Sequence, residues 1–402
     1  MEDKNLGDKT SYKNVKERIY GLTEEEVKER VKKGEVNIIP DAPSRTLPQI
    51  LRANFFNLFN ALNVVLAIIC IIAGSPKNAI FAGVIIVNSI IGVIQELNAK
   101  KTLEKLGYKL ILSENLLKSE KGRSATAKER AKEVNDMFSN KDINMIFCAA
   151  GGEFLVEILP YIDFDLIKEN PKFIAGFSDP TGLLYPITTK CDIATVYGQN
   201  FTSFGSETLH QSQINFLEFL KGNLKEEHNY DLYENEYVEK KTGLENYNLT
   251  EKVYWKTLDD EPVTIKGRII GGCFDIISTL AGTKYDGIND FNEKYKNDGI
   301  IWYFDNCELS KEETIRVLWK MNELGYFKYT KGIIFGRFGV DVSRYDYDVK
   351  SCLEDSILKE LNIPVIYDAD ISHKAPCLTI VNGAISEINV KNGKAKVLFK
   401  YE

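Results

Sequence analysis

The chemistry this chain can perform is most legible around Ser178. The run Phe173-Ile174-Ala175-Gly176-Phe177-Ser178-Asp179-Pro180-Thr181 carries an apolar strand into a tight turn, then a proline placed to begin a helix. That layout is a nucleophile elbow, which lifts a serine hydroxyl above a sheet at a helix N-terminus. Its pattern is Gly-x-Ser-x-Pro rather than Gly-x-Ser-x-Gly, and a serine before Asp-Pro, taken alone, is more often a helix cap. A serine nucleophile needs a base, and the chain offers three histidines. His228 stands in the acidic run Glu226-Glu227-His228-Asn229 and reads as surface. His210 opens a helix and could line a pocket. His373 follows the apolar strand Ile363–Tyr367 in a strand-end loop, where α/β proteins carry catalytic groups, and is the best base on offer. A carboxylate should orient the imidazole. Asp305 ends the apolar strand Gly299–Phe304 and Glu308 follows three residues later. Strand alternation does not choose between them.

These residues require a particular scaffold. After Leu106 short apolar strands alternate with helices. Thr126 and Glu129 form a capping box opening a helix that runs to Phe138. Tyr108–Leu112 and Asn144–Ala149 read as strands, the second ending in Gly151-Gly152. A helix over Phe164–Lys168 and a strand over Lys172–Gly176 lead into Ser178. This alternation predicts an α/β fold with a mainly parallel, doubly wound sheet. Residues 206–262 are polar, aromatic and acidic and read as a connector with one helix near Gln213–Leu220. A second α/β segment starts at Val263, and within it Ser310 and Glu313 form a capping box.

The first hundred residues have another texture. Thr23 caps a predicted amphipathic helix that stops near Lys33-Gly34. Phe55–Ala73 and Ala79–Val93 then form two apolar stretches without Asp, Glu, Lys or Arg, joined by the polar turn Gly74–Asn78. Each approaches the length that a ~30 Å hydrocarbon core demands, so a transmembrane hairpin over residues 55–97 is expected. Arg45 and Arg52 on one flank, with Lys100, Lys101 and Lys105 on the other, place both ends in the cytoplasm. The net charge of -7 and scattered basic residues argue against nucleic-acid binding. Seven dispersed cysteines and few histidines argue against a metal site or a disulfide framework.

Gly151-Gly152, Ile158–Asp163, Asn170-Pro171-Lys172 and Gly176–Asp179 together resemble the LD-carboxypeptidase family of serine peptidases, which includes microcin C immunity hydrolases. Later blocks agree in order: Gly271-Gly272, Trp302–Glu308, Gly332–Gly339 and Asp370–Pro376. The resemblance covers about residues 103–402. It implies a Rossmann-like domain followed by a second α/β domain, with Ser178 as nucleophile, His373 as base and Asp305 at the acid position. The Gly152 and Asp179 N–H groups would form the oxyanion hole. It implies no metal and no cofactor. The substrate would be a small muropeptide ending in D-alanine or an aminoacyl-nucleotide amide, with a homodimer as one assembly open to the chain. Asp305 is one methylene shorter than the family's usual Glu, Cys273 stands where Asn commonly follows Gly-Gly, and the family's first strand and helix are absent. Residues 21–106 instead resemble the opening segment of a P-type cation-transporting ATPase, through Asn37–Pro40, the two apolar stretches and Gln95–Leu106. The phosphorylation motif Asp-Lys-Thr-Gly-Thr is missing, so the segment would not pump ions, and an inactive membrane-anchored fusion stands as the alternative to an active hydrolase. The expected divisions are a cytoplasmic segment 1–54, a hairpin 55–97, a serine domain 103–205 lacking its first strand, a connector 206–262 and a C-terminal domain 263–402.

Overall fold

The computed structural model describes residues 58–75, 77, 80–116, 121–236, 238 and 241–400. The helix predicted from Thr23, the whole segment 1–54 and the start of the first apolar stretch lie outside these residues.

The two apolar stretches give helices α1 (Leu58–Ile72) and α2 (Ile80–Lys105). With 15 residues, α1 spans ~22 Å, short of a ~30 Å hydrocarbon core. No described helix is long and apolar enough to cross a membrane. The transmembrane hairpin expected over 55–97 is therefore found only as a helical hairpin, and α1 leaves Val64, Val65, Leu66, Ile68, Ile69, Ile71 and Ile72 exposed. The second helix runs on past the apolar stretch, and its last part is amphipathic. Val93, Glu96, Ala99 and Leu103 are buried at helical spacing along one face. Ala99 and Leu103 join a core cluster with Phe201, Phe204, Phe216 and Leu217. Asn98 Nδ2 donates to the Gly205 carbonyl at 2.7 Å. The helix passes so close that a Cβ at Gly205 would run into the Gln95 carbonyl. The later half of α2 is thus an integral layer of the α/β body.

Tyr108–Leu112 does not form the expected strand. Tyr108 and Leu110 pack on the cluster under α2 instead, and no ladder partner holds the segment extended. Helix α3 (Ala127–Ser139) starts at the predicted Thr126 cap, whose hydroxyl accepts the Glu129 N–H at 3.3 Å. The first sheet then opens with the parallel strands β1 (Met145–Phe147), β2 (Phe173–Gly176) and β3 (Thr195–Tyr197), with helix α4 (Thr181–Cys191) between β2 and β3. Its edge is β1, only 3 residues long.

The connector is less irregular than its composition suggests. It contributes β4 (Glu226–His228) and β7 (Lys256–Thr257) to the second sheet, and pairs β5 (Leu232–Tyr233) with β6 (Glu251–Lys252). That sheet has 8 strands. Its middle is the parallel set β8 (Val263–Cys273), β9 (Ile300–Asp305), β10 (Thr330–Gly336) and β11 (Val365–Ala369). Every residue of β9 is buried, as expected for a strand covered on both faces. The chain then crosses back: β12 (Ile380–Asn382) adds antiparallel to β3 in the first sheet. β13 (Ile385–Lys391) returns antiparallel to β8, and β14 (Lys394–Lys400) pairs antiparallel with β13. The fold is α/β as predicted, but its larger sheet is mixed rather than mainly parallel. The hairpin strands supply edge partners that the polar alternation of the connector and C-terminus does not advertise.

Candidate active site

The elbow is built by steric necessity. At Gly176, the end of β2, a Cβ would lie 2.5 Å from Pro180 Cβ and 3.0 Å from Cys148 Cβ, so no side chain fits. Asn200, just past β3, holds the next residue by both its N–H and its carbonyl. Its Oδ1 accepts the Phe177 N–H at 2.9 Å and its Nδ2 donates to the Phe177 carbonyl at 3.2 Å. Ser178 is left in the left-handed region at φ 72°, a conformation that costs on the order of 1–3 kcal/mol and persists only when its surroundings impose it.

His373 lies in the loop after β11. That loop is held from below by Arg337, at the end of β10. The guanidinium donates to the Lys374 and Pro376 carbonyls at 2.9 and 3.3 Å and pairs with the buried Asp370 at 2.7 Å. Asp370 also accepts the Tyr230 N–H and the Trp255 indole N–H, each at 3.0 Å, which ties the connector to the same loop. Burial raises the Asp370 carboxyl above its usual range, and Arg337 works against that rise.

Ser178, His373 and Asp305 are brought into one hydrogen-bonded series. Ser178 Oγ is 2.8 Å from His373 Nε2, and His373 Nδ1 is 2.9 Å from Asp305 Oδ1. The same carboxylate oxygen accepts the His373 backbone N–H at 3.1 Å. An ionised Asp305 only accepts, which assigns the imidazole proton to Nδ1 and leaves Nε2 to take the serine proton. Burial opposes charging of His373. The Asp305 charge and hydrogen bond outweigh it, Cys307 adds to them, and the imidazole is raised above its ordinary value.

The shorter Asp reaches the imidazole directly. Its second oxygen, Oδ2, accepts the Tyr197 hydroxyl at 2.6 Å, and that hydroxyl accepts the Ser178 N–H at 3.4 Å. Tyr197 is fully buried at the end of β3. Sequence reasoning missed it, as it missed the Asn200 clamp; the only signal was their position at a strand end beside the elbow.

Glu308, the rival acid, is placed elsewhere. Asp275 accepts its N–H at 3.0 Å, and its exposed side chain lines the cleft. His210 caps the helix Gln211–Leu220, its Nδ1 accepting the Ser212 N–H at 3.1 Å. His228 lies 3.3 Å from Glu226 on β4. Neither joins the series. The Gly151-Gly152 turn lies against the elbow: a Cβ on Gly151 would be 3.1 Å from Ser178 Cβ, and one on Gly152 3.1 Å from Asp179 Oδ2. Neither the Gly152 nor the Asp179 N–H donates to another described residue. The cleft beside His373 encloses about 920 Å³, and Phe177, Gln199, Tyr247, Glu308 and Lys374 line it. Among the described residues no group of His, Cys, Asp and Glu is arranged to hold a metal ion.

Comparison with known proteins places this geometry in a class. The LD-carboxypeptidase N-terminal domain matches residues 88–198 and the LD-carboxypeptidase C-terminal domain matches residues 266–388. The chain belongs to the LD-carboxypeptidase family and is a hydrolase of the serine-carboxypeptidase type. The N-terminal match begins inside α2, so the family domain takes in the half of that helix that docks on the core. Among its relatives is the microcin C7 self-immunity protein MccF of Escherichia coli, 28% identical over 323 residues, covering 74% of this chain and 86% of that one. The solved structure of MccF in complex with glutamyl sulfamoyl guanosine is similar at a TM-score of 0.65 and 25% identity, over 78% of this chain and 93% of that one. The N-terminal region matches a fragment of a cation pump. It is 49% identical over 86 residues to the calcium-transporting ATPase CtpE of Mycobacterium tuberculosis, which is 21% of this chain and 11% of the pump.

Proposed function

We propose that the chain is an LD-carboxypeptidase that hydrolyses the amide between the L-centre of a diamino acid and a terminal D-alanine in a muropeptide. The observation that carries this reading is the unbroken series from Ser178 Oγ through His373 to Asp305, at 2.8 and 2.9 Å. Ser178 Oγ attacks the scissile carbonyl while His373 Nε2 takes its proton. The carbonyl oxygen gains negative charge and turns toward the Gly152 and Asp179 N–H groups. His373 returns the proton to the departing D-alanine nitrogen, leaving an ester on Ser178. A water then gives its proton to His373, its oxygen attacks the ester, and the serine is regenerated. Asp305 holds the Nδ1 proton throughout and balances the imidazolium.

A second reading keeps the same chemistry on an aminoacyl-nucleotide amide. MccF has been solved with a compound related to that class, glutamyl sulfamoyl guanosine, and Tyr247 in the cleft wall of this chain offers an aromatic surface for a base.

The test is D-alanine release from a muropeptide tetrapeptide by the intact chain beside its Ser178→Ala variant. The parent is expected to release D-alanine, with the variant slower by on the order of a thousandfold or more. Equal release by both would refute Ser178 as nucleophile. Release from neither, with cleavage of an aminoacyl sulfamoyl nucleoside by the parent, would favour the second reading.

A further inference from the structure

The charged side chains of the cleft beside His373 are Glu234, Lys241, Glu245, Glu308 and Lys374. They are not equivalent. Glu234 is occupied by the Val238 and Asn248 N–H groups at 3.3 and 2.8 Å. Glu245 is occupied by the Lys241 and Thr242 N–H groups at 3.2 and 2.9 Å, and its own backbone N–H, followed by Thr242, lowers its carboxyl to about 2. Lys241 is exposed on the connector.

Lys374 differs from all of these. It follows His373 directly, and its backbone is fixed on both sides: its N–H donates to Ser372 Oγ at 2.9 Å and its carbonyl accepts from Arg337. The side chain is half-buried, yet its ammonium has no ion pair or hydrogen bond among the described residues. The nearby acids are engaged, Asp341 by Lys311 and Asp368 by Lys256 at 2.9 Å. Burial pulls the Lys374 ammonium below its ordinary value, as expected for a cation without a partner in contact. Glu308 is the matching anion. Asp275 fixes its backbone, and its carboxylate has no partner among the described residues.

We infer that these two side chains form a clamp for a zwitterionic peptide end, with Lys374 on the terminal carboxylate of the leaving residue and Glu308 on the side-chain ammonium of the diamino acid. The inference rests on the carboxypeptidase reading and deepens it, because it names what makes the enzyme a carboxypeptidase. The terminal carboxylate lies one residue, about 3.8 Å of chain, beyond the residue bearing the scissile carbonyl. A cation next to the base in sequence is within a lysine's reach of that point. A desolvated ammonium–carboxylate contact is a charge-assisted hydrogen bond, and a neutral amide in its place leaves the ammonium unpaired.

The experiment compares a tetrapeptide with its C-terminal carboxamide, and a free with an acetylated diamino-acid side chain, using the intact chain. The parent should prefer the acid. Lys374→Met, which keeps the aliphatic stem, should shrink the acid-to-carboxamide ratio of kcat/KM on the order of 10- to 100-fold, mainly through KM. Lys374→Arg should restore most of it. Glu308→Gln should shrink the free-to-acetylated ratio by a few-fold, less because the group is exposed. An active parent whose acid-to-carboxamide ratio is unmoved by Lys374→Met overturns the clamp and leaves the hydrolase standing. A parent that releases no D-alanine overturns the carboxypeptidase reading, and the clamp with it.

Discussion

Replacing Tyr197 by Phe removes one oxygen atom and tests whether the acid is held from behind. The Tyr197 hydroxyl donates to Asp305 Oδ2 at 2.6 Å, and both side chains are fully buried. No other described donor reaches Oδ2. Losing a hydrogen bond to a buried carboxylate costs roughly 1.5–3 kcal/mol. The long contact from the Ser178 N–H, at 3.4 Å, adds little. The ring itself should stay, 5.1 Å from Phe177 and 5.7 Å from Tyr303 between centroids. The variant should therefore fold and unfold at lower denaturant, by about 2–3 kcal/mol with an unchanged m-value. The more telling effect is on pH dependence. Burial and the Asp305 charge raise the Tyr197 phenol well above its ordinary value, so it stays protonated and draws charge from Asp305. Without it, more of the carboxylate charge faces His373, and the imidazole rises further. The acid limb of the kcat/KM profile should move to higher pH, and kcat should fall about tenfold as Asp305 loses its second anchor. A purely structural tyrosine would lower stability and leave the limb in place. A limb that stays, or moves to lower pH, would refute the role given to the Tyr197 hydroxyl.

Other outcomes follow from the same contacts. Because His373 is raised in the folded chain and must be neutral to act, activity should climb with pH through neutrality into the alkaline range, measured as kcat/KM. Its stabilising effect runs the other way: full below the unfolded value of about 6.5, it is lost as pH rises through the raised folded value. Glu227 is pushed up to about 7 by burial, against hydrogen bonds from Asn215, Thr379 and Tyr230. Its ionisation should cost stability progressively from about pH 4.3 to pH 7, and denaturation of Glu227→Gln should lack that decline. Arg337→Met should cost on the order of 3–5 kcal/mol by stranding the buried Asp370, read as a lowered midpoint, and should reduce kcat more than it alters KM because the His373 loop loses two anchors. Removing residues 1–75 should leave D-alanine release intact. Removing residues 1–105 should abolish soluble folding, since it uncovers the cluster that Ala99 and Leu103 complete, with Leu103 alone contributing roughly 1.5–3 kcal/mol.

Much of the site could be read from residue order, because an elbow, a strand-end acid and a strand-end histidine are local patterns. What the sequence could not supply was their closure in space. Asp305 ends β9 and Glu308 follows three residues later, and only the fold turns one toward His373 and leaves the other in the cleft wall. Tyr197 and Asn200 lie 108 and 23 positions from the groups they hold, a separation that no motif registers. The Arg337–Asp370 pair escaped for a similar reason: each charge reads as surface until the other is seen beside it. The connector was misjudged by texture. Its strands are short edges or a separate two-stranded pair, and the edge strand β4 turns Glu227 inward rather than an apolar residue, so no hydrophobic alternation marks it.

The least local feature is α2, where the pump-like and peptidase-like parts of the chain meet. The peptidase match begins at residue 88, within a helix that extends to Lys105. A helix is a tolerant place for such a junction because it satisfies its own backbone hydrogen bonds. The body it covers asks only for suitable side chains on one face, and Ala99 and Leu103, small and apolar, meet that demand. A junction inside a strand would have been judged differently, since each residue there must also match a neighbour's ladder. Residues 108–112, expected as a strand, find no ladder partner, and the first sheet ends at β1. At 3 residues, that edge is short enough to offer little template for association. The elbow lies on the next strand inward, flanked by β1 and β3. The residues that hold Ser178 in place, Asn200 and Tyr197, stand at the end of β3 or just past it, away from that edge.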